Sequence, residues 1–177
     1  KIRGEATPTY LRLPDEEISA LLSLNPSAKF ILMVRHPMFR LLSLIGKMIR
    51  DSGQSVATLG EDKLLGLMAA NSRTYVGNVE RWQERVAPNR LLLIWYEDVQ
   101  QDSADVLRRV AAYLGAEAPA EWCDVSVAGQ ARNASPEWDM KDLSPTLREG
   151  LLEASRPDLD FVRARDWERG RNWFALA

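Results

Sequence analysis

Two short apolar runs, Lys29-Phe-Ile-Leu-Met-Val34 and Arg90-Leu-Leu-Leu-Ile-Trp95, constrain this chain more than anything else in it. Each is too short for a buried helix and is apolar at successive positions rather than alternate ones. A parallel strand covered on both faces reads this way. The sequence around them has helical period. Strands alternating with helices point to an α/β fold with a central parallel sheet flanked by helices, and such sheets bind ligands at the carboxyl ends of their strands. The residues just after Val34 and Trp95 are therefore where function is sought.

The opening residues, up to about position 10, read as strand- and turn-like. Pro14-Asp-Glu-Glu then starts a helix with Ile18, Leu21 and Leu22 on one stripe and acids near its positive end, and Asn25-Pro26 stops it. Pro37 opens a second helix in which Leu41, Leu44, Ile45, Met48 and Ile49 recur at three- and four-residue spacing as far as Asp51-Ser-Gly53. A single long helical stretch is expected from about Glu61 to Val86, with Tyr75 among its apolar residues. Beyond the second run, Tyr96-Glu-Asp98 leads to Asp102, a good N-cap for a helix that carries Leu107, Val110 and Leu114 and ends at Gly115. Ala116 to Lys141 reads as a long excursion. A helix resumes at Ser144-Pro145 with Leu147, Leu151 and Leu152, and Asp158 is expected to begin a separate short one.

Charge and cysteine content narrow the function classes. With 23 Lys+Arg against 25 Asp+Glu the net charge is 23 − 25 = −2, so no global basic field marks a nucleic-acid partner. Any anionic ligand needs local positive charge. Cys123 is the only thiol and His36 the only histidine, which excludes an intrachain disulfide and a Cys/His metal cluster. No apolar stretch reaches membrane-span length and no signal peptide is visible, so a cytoplasmic location is expected. The chain is read as one domain spanning 1–177; because it opens at Lys1 without an initiator Met, a piece missing at its start is expected.

The first run is followed by Arg35-His-Pro-Met-Phe-Arg-Leu-Leu-Ser43. An Arg leaving a strand beside a helix start can take a phosphate with its fork of donors while the helix's positive end favours the charge. Ser43, six residues past Pro37, adds a donor only if the ligand lies along the helix flank. The plainer alternative is that Arg35 pairs with an acid and Ser43 packs. Spacing alone favours that alternative.

Arg-x-Pro-x-x-Arg-x-x-Ser after a buried strand resembles the 3′-phosphate-binding segment of PAPS-dependent sulfotransferases. Other pieces agree in order: Gly4-Glu-Ala-Thr-Pro-Thr-Tyr10, the stretch from Trp82 ending Leu-Leu-Leu-Ile-Trp-Tyr-Glu-Asp-Val99, Tyr113-Leu-Gly115, and a tail with Leu143-Ser-Pro and Trp173. The ordered set carries the likeness, since each piece alone is weak. The resemblance implies a P-loop-NTPase-like sulfotransferase architecture, PAPS as sulfuryl donor and adenosine 3′,5′-bisphosphate as product. It also implies a small-molecule or carbohydrate acceptor. By residue, it implies that Arg35 and Ser43 hold the 3′-phosphate and that Tyr96 lies near the adenine, although a core tyrosine at a strand end reads equally well. Arg40 is read as an ion-pairing strut, His36 as a local hydrogen-bonding group, and Glu97 and Asp98 as structural.

Two departures accompany the likeness. No Gly-rich loop like the family's Lys-x-Gly-Thr-Thr segment for the 5′-phosphosulfate occurs, and its expected place is before Lys1; without it the chain as written should not catalyse transfer. Ala6 stands where many members carry Lys, and Glu5 is the nearest acid. No catalytic base is assignable. Arg132, Lys141, Arg169 and Arg171 are a loose match to bases that close over the cofactor, and Trp122 and Trp138 are candidates for an acceptor site. Two rival functions stand beside this reading, a P-loop kinase-like phosphotransferase and a catalytically inactive sulfotransferase-like binding module.

Overall fold

The computed structural model describes residues 3–72, 75–117, 140 and 143–165. Its opening segment forms a 3-10 turn at Pro8–Arg12 rather than a strand, followed by helix α1 (Asp15–Leu24). Strand β1 (Phe30–Val34) leads into α2 (Pro37–Asp51), and the short α3 (Val56–Leu59) precedes α4 (Glu61–Ala70) and α5 (Asn78–Arg85). Strand β2 (Leu91–Trp95) is followed directly by α6 (Tyr96–Gln101) and then α7 (Ser103–Leu114); the last described helix is the long α8 (Pro145–Ala164). Most of the expected stops and caps stand where local chemistry puts them. Asp102 accepts from the Asp105 N–H at 2.8 Å, and Gly115 closes α7 in the left-handed region at φ 75°.

Both apolar runs are strands, and they pair in parallel with Phe30 opposite Leu91 and Val34 opposite Trp95. The fold is thus mixed α/β, a small parallel sheet among many helices. Residues 30, 32 and 34 of β1 and 91, 93 and 95 of β2 face a core built from Ile18, Tyr75, Val79, Trp82, Val86, Phe161 and Val162. The other side of β1 differs from expectation: Ile31 and Met33 are 42% and 52% exposed, so the described residues cover only one face of that strand. A separate apolar cluster joins α2, α4 and α8 through Leu41, Ile45, Leu64, Met68, Leu147 and Leu151.

Three expected element boundaries are corrected. The stretch from 61 to 86 is not one helix. It breaks between α4 and α5, where Gly77 adopts φ 75° and the buried Asp158 carboxylate accepts the N–H groups of Tyr75 and Val76 at 2.9 and 3.0 Å. α4 has already closed at Ala70, and these two N–H groups are satisfied by a distant side chain instead of by a preceding helical turn, so the helical ladder does not run through Tyr75 and Val76. Conversely, α8 runs unbroken through Pro157, where the sequence suggested a new helix at Asp158. An interior proline costs roughly 3 kcal/mol. The apolar stripe of Leu147, Leu151, Leu159 and Val162 continues across it, and burying the last two with Phe161 offsets that cost. Finally, the helix expected to open at Asp102 is preceded by another, α6, whose first turn is Tyr96-Glu-Asp98. Among the described residues no helix is long and apolar enough to cross a membrane.

Candidate functional site

At the carboxyl end of β1 the chain passes through Arg35 and His36 into α2, beside the point where β2 hands over to α6. Parallel pairing places Val34 opposite Trp95, so Arg35 and Tyr96 emerge side by side. Their side chains meet: the Arg35 guanidinium lies over the Tyr96 ring at 4.4 Å from its centroid, a cation–π contact. Two of the three residues expected to bind an anionic nucleotide are thus brought together by strand register alone. The third, Ser43, is half-buried on α2. At 1.5 Å per residue it stands roughly 9 Å along the helix from Pro37.

The backbone around Arg35 is held by side chains from far along the chain. Arg35 N–H donates to the Tyr75 hydroxyl at 2.9 Å, and that hydroxyl donates to the Arg35 carbonyl at 2.9 Å. The next N–H, of His36, donates to Glu97 Oε1 at 2.8 Å. Pro37 has no N–H, and Met38 N–H donates to His36 Nδ1 at 3.2 Å, making the buried histidine the cap of α2. Each of these four positions is therefore either filled by a protein acceptor or lacks a donor. An anion here is not cradled by those amides. It would be met by the Arg35 fork and by the positive end of α2.

Several arginines near the core have acid partners, whereas Arg90 donates to the carbonyls of Ala28 and Asn25. Arg40 faces Asp158 at 3.9 Å, Arg109 faces Asp98 at 3.5 Å, Arg81 and Arg85 share Asp15, and Arg165 pairs with Glu80. Among the described residues no carboxylate pairs with Arg35. Arg40 is the strut its position suggested. It also donates to the Asn71 carbonyl at 3.2 Å, and burial pushes its guanidinium below its ordinary pKa while Tyr75 and Asp158 act in the opposite direction.

Glu97 and Asp98 serve the backbone and an arginine respectively, and Glu5 accepts from the Tyr10 hydroxyl on an exposed surface. Arg132, Lys141, Arg169, Arg171, Trp122 and Trp138 lie outside the described residues. Two residues at the centre of the site escaped the sequence reading. Tyr75 was an apolar member of a presumed helix, and Asp158 was a helix start. Asp158 carried a usable signal, an acid on the same stripe as Leu151 and Val162, where burial demands a partner.

A small parallel sheet among many helices, with an arginine at the carboxyl end of one strand that meets no carboxylate among the described residues, defines a mixed α/β protein. Residues 6–120 match the model of the Sulfotransferase family, and the chain belongs to that family. Its structure is similar to that of a sulfotransferase from Alicyclobacillus acidocaldarius, with a TM-score of 0.63 and 21% sequence identity over 91% of this chain. The chain spans 63% of the length of that protein. No curated protein matches it.

Proposed function

We propose that this chain carries the nucleotide-binding part of a sulfotransferase that moves a sulfuryl group from PAPS to a hydroxyl or amine of a small molecule or carbohydrate. The observation that carries the reading is the Arg35 guanidinium, stacked on Tyr96 at the carboxyl end of β1 and free of a carboxylate partner among the described residues. Family membership supports it, because sulfotransferases generally use PAPS.

The donor set fits one end of that cofactor. Arg35 offers a planar fork to the 3′-phosphate, the positive end of α2 favours the negative charge, and Ser43 on the flank of α2 adds a hydroxyl donor. Tyr96 holds Arg35 through its ring and stands beside the base. PAPS supplies, when bound, a sulfuryl group on a good leaving group. The residues of this chain bind and orient its nucleotide and need no metal to do so. The residues that would meet the 5′-phosphosulfate and deprotonate the acceptor are not assigned to this chain. The P-loop-NTPase-like arrangement of the whole enzyme and its cytoplasmic location belong to the same proposal.

Titration calorimetry of the complete protein with adenosine 3′,5′-bisphosphate tests the reading. Binding is expected, Arg35→Ala should weaken it by about 2–3 kcal/mol, and Ser43→Ala by about 1 kcal/mol. No heat at near-millimolar ligand, or an affinity untouched by Arg35→Ala, would sink the assignment. Binding without sulfuryl transfer to any acceptor would favour a domain that has kept the nucleotide site and lost catalysis.

A further inference from the structure

We propose that Tyr75 is a positioning residue: by holding both backbone groups of Arg35 with one phenol, it fixes the direction in which the Arg35 guanidinium meets the donor's 3′-phosphate. The proposal rests on the nucleotide-binding reading of Arg35.

The paired register of the sheet ends at Val34 and Trp95, so Arg35 is the first residue of β1 beyond ladder support. Tyr75, 40 residues later, replaces the missing partner. Its hydroxyl accepts from Arg35 N–H and donates to Arg35 C=O, both at 2.9 Å. One phenol thus does for this residue what a neighbouring strand does for those before it. Tyr75 is itself fixed from three directions. Its own N–H donates to Asp158 on α8, its ring lies 5.7 Å from the Arg40 guanidinium on α2, and its side chain is buried with Val79 and Phe161. Burial pushes the phenol well above its ordinary pKa, so it remains a donor throughout the working pH range. Arg35 is therefore referenced to α8 and α2 through one side chain, while the Tyr96 face limits where its guanidinium can swing. A long arginine side chain keeps much rotamer freedom, and holding it in the bound direction before the ligand arrives raises affinity without adding a contact.

A residue that merely supported the fold would affect ligand binding whether or not Arg35 was present. A residue that positions Arg35 acts only through it. Calorimetry with adenosine 3′,5′-bisphosphate on the complete protein, for Tyr75→Phe, Arg35→Ala and the double variant, separates the two. Phe keeps the ring and its packing. Tyr75→Phe should weaken binding about 5-fold when Arg35 is present, the scale of one lost hydrogen bond, and should change it by less than about 2-fold in the Arg35→Ala background. Amide hydrogen exchange of the unsubstituted protein gives a second readout that does not depend on the variant folding: Arg35 N–H should exchange as slowly as the amides of the paired strand. Equal losses in both backgrounds, or an Arg35 amide exchanging as fast as an exposed loop, would overturn the positioning role alone. Failure of the unsubstituted protein to bind the nucleotide would overturn both this role and the reading beneath it.

Discussion

Asp158 shows how much a single buried carboxylate can organise. Oδ1 accepts from the N–H groups of Tyr75 and Val76, Oδ2 faces Arg40 at 3.9 Å, and the residue is 1% exposed. Asp158→Ala would leave two amide donors without their acceptor and a largely buried guanidinium without its counter-charge. Breaking a buried pair from one side costs about 3–5 kcal/mol, and urea unfolding should show a loss of that size. Asp158→Asn should cost less, because its amide oxygen still accepts from both N–H groups. A loss under about 1 kcal/mol for the alanine variant would contradict the account. In the sequence this residue reads as a helix start; its place on an apolar stripe hints at burial, but its partners lie about 80 and 118 positions earlier. The position of Arg35, by contrast, was legible because strand, proline and helix are contiguous, while its phosphate-binding role came from the family resemblance.

Among the elements, α4 and α8 pack most closely where Gly150 faces Leu65. A β-carbon added at Gly150 would run into the Leu65 side chain, whereas one added at Gly66, on the same α4 helix, would meet nothing. Alanine is favoured over glycine inside a helix by about 0.8–1 kcal/mol. Gly66→Ala should therefore raise stability by up to that amount, and Gly150→Ala should gain less or lose, because Leu65 must change rotamer to admit it. Thermal unfolding of the two variants side by side checks the ordering; an equal gain at both positions would mean that the helices do not pack so closely. The helices were readable from their periods, and the errors fall where one element acts on another. In the gap between α4 and α5, Asp158 of α8 takes two amides and Gly77 turns the chain, and α8 passes through Pro157 into residues buried against other elements. Burial and a partner from another element enter both cases, so local propensity gave one helix where there are two and two where there is one.

For the whole molecule, Tyr75 is the point where the sheet, α2 and α8 are tied together, and this gives a pH dependence with a definite sign. Above about pH 10 the unfolded chain loses the Tyr75 proton, while the buried phenol keeps it in the folded state. The folded state then holds more protons than the unfolded one, so stability present below pH 10 falls as pH rises further. Urea midpoints measured between pH 8 and 11 should decline, and Tyr75→Phe should make the decline shallower; an unchanged slope would argue that the phenol is not buried as described. Burial raises Tyr113 and its bond to Glu5 raises Tyr10 in the same direction, so part of the decline remains in that variant. By itself the sequence determined the two strands, the amphipathic helices, the helix caps and the placing of Arg35 after β1. All of these follow from contacts within a few residues or from periodicity along one element. Only the tertiary structure decided that Arg35 lies on Tyr96, that a distant tyrosine clamps its backbone, and that Asp158 takes two amides in the gap between two helices. Those outcomes depend on the parallel register and on buried polar groups finding partners tens of residues away, where desolvation leaves no alternative to a bond.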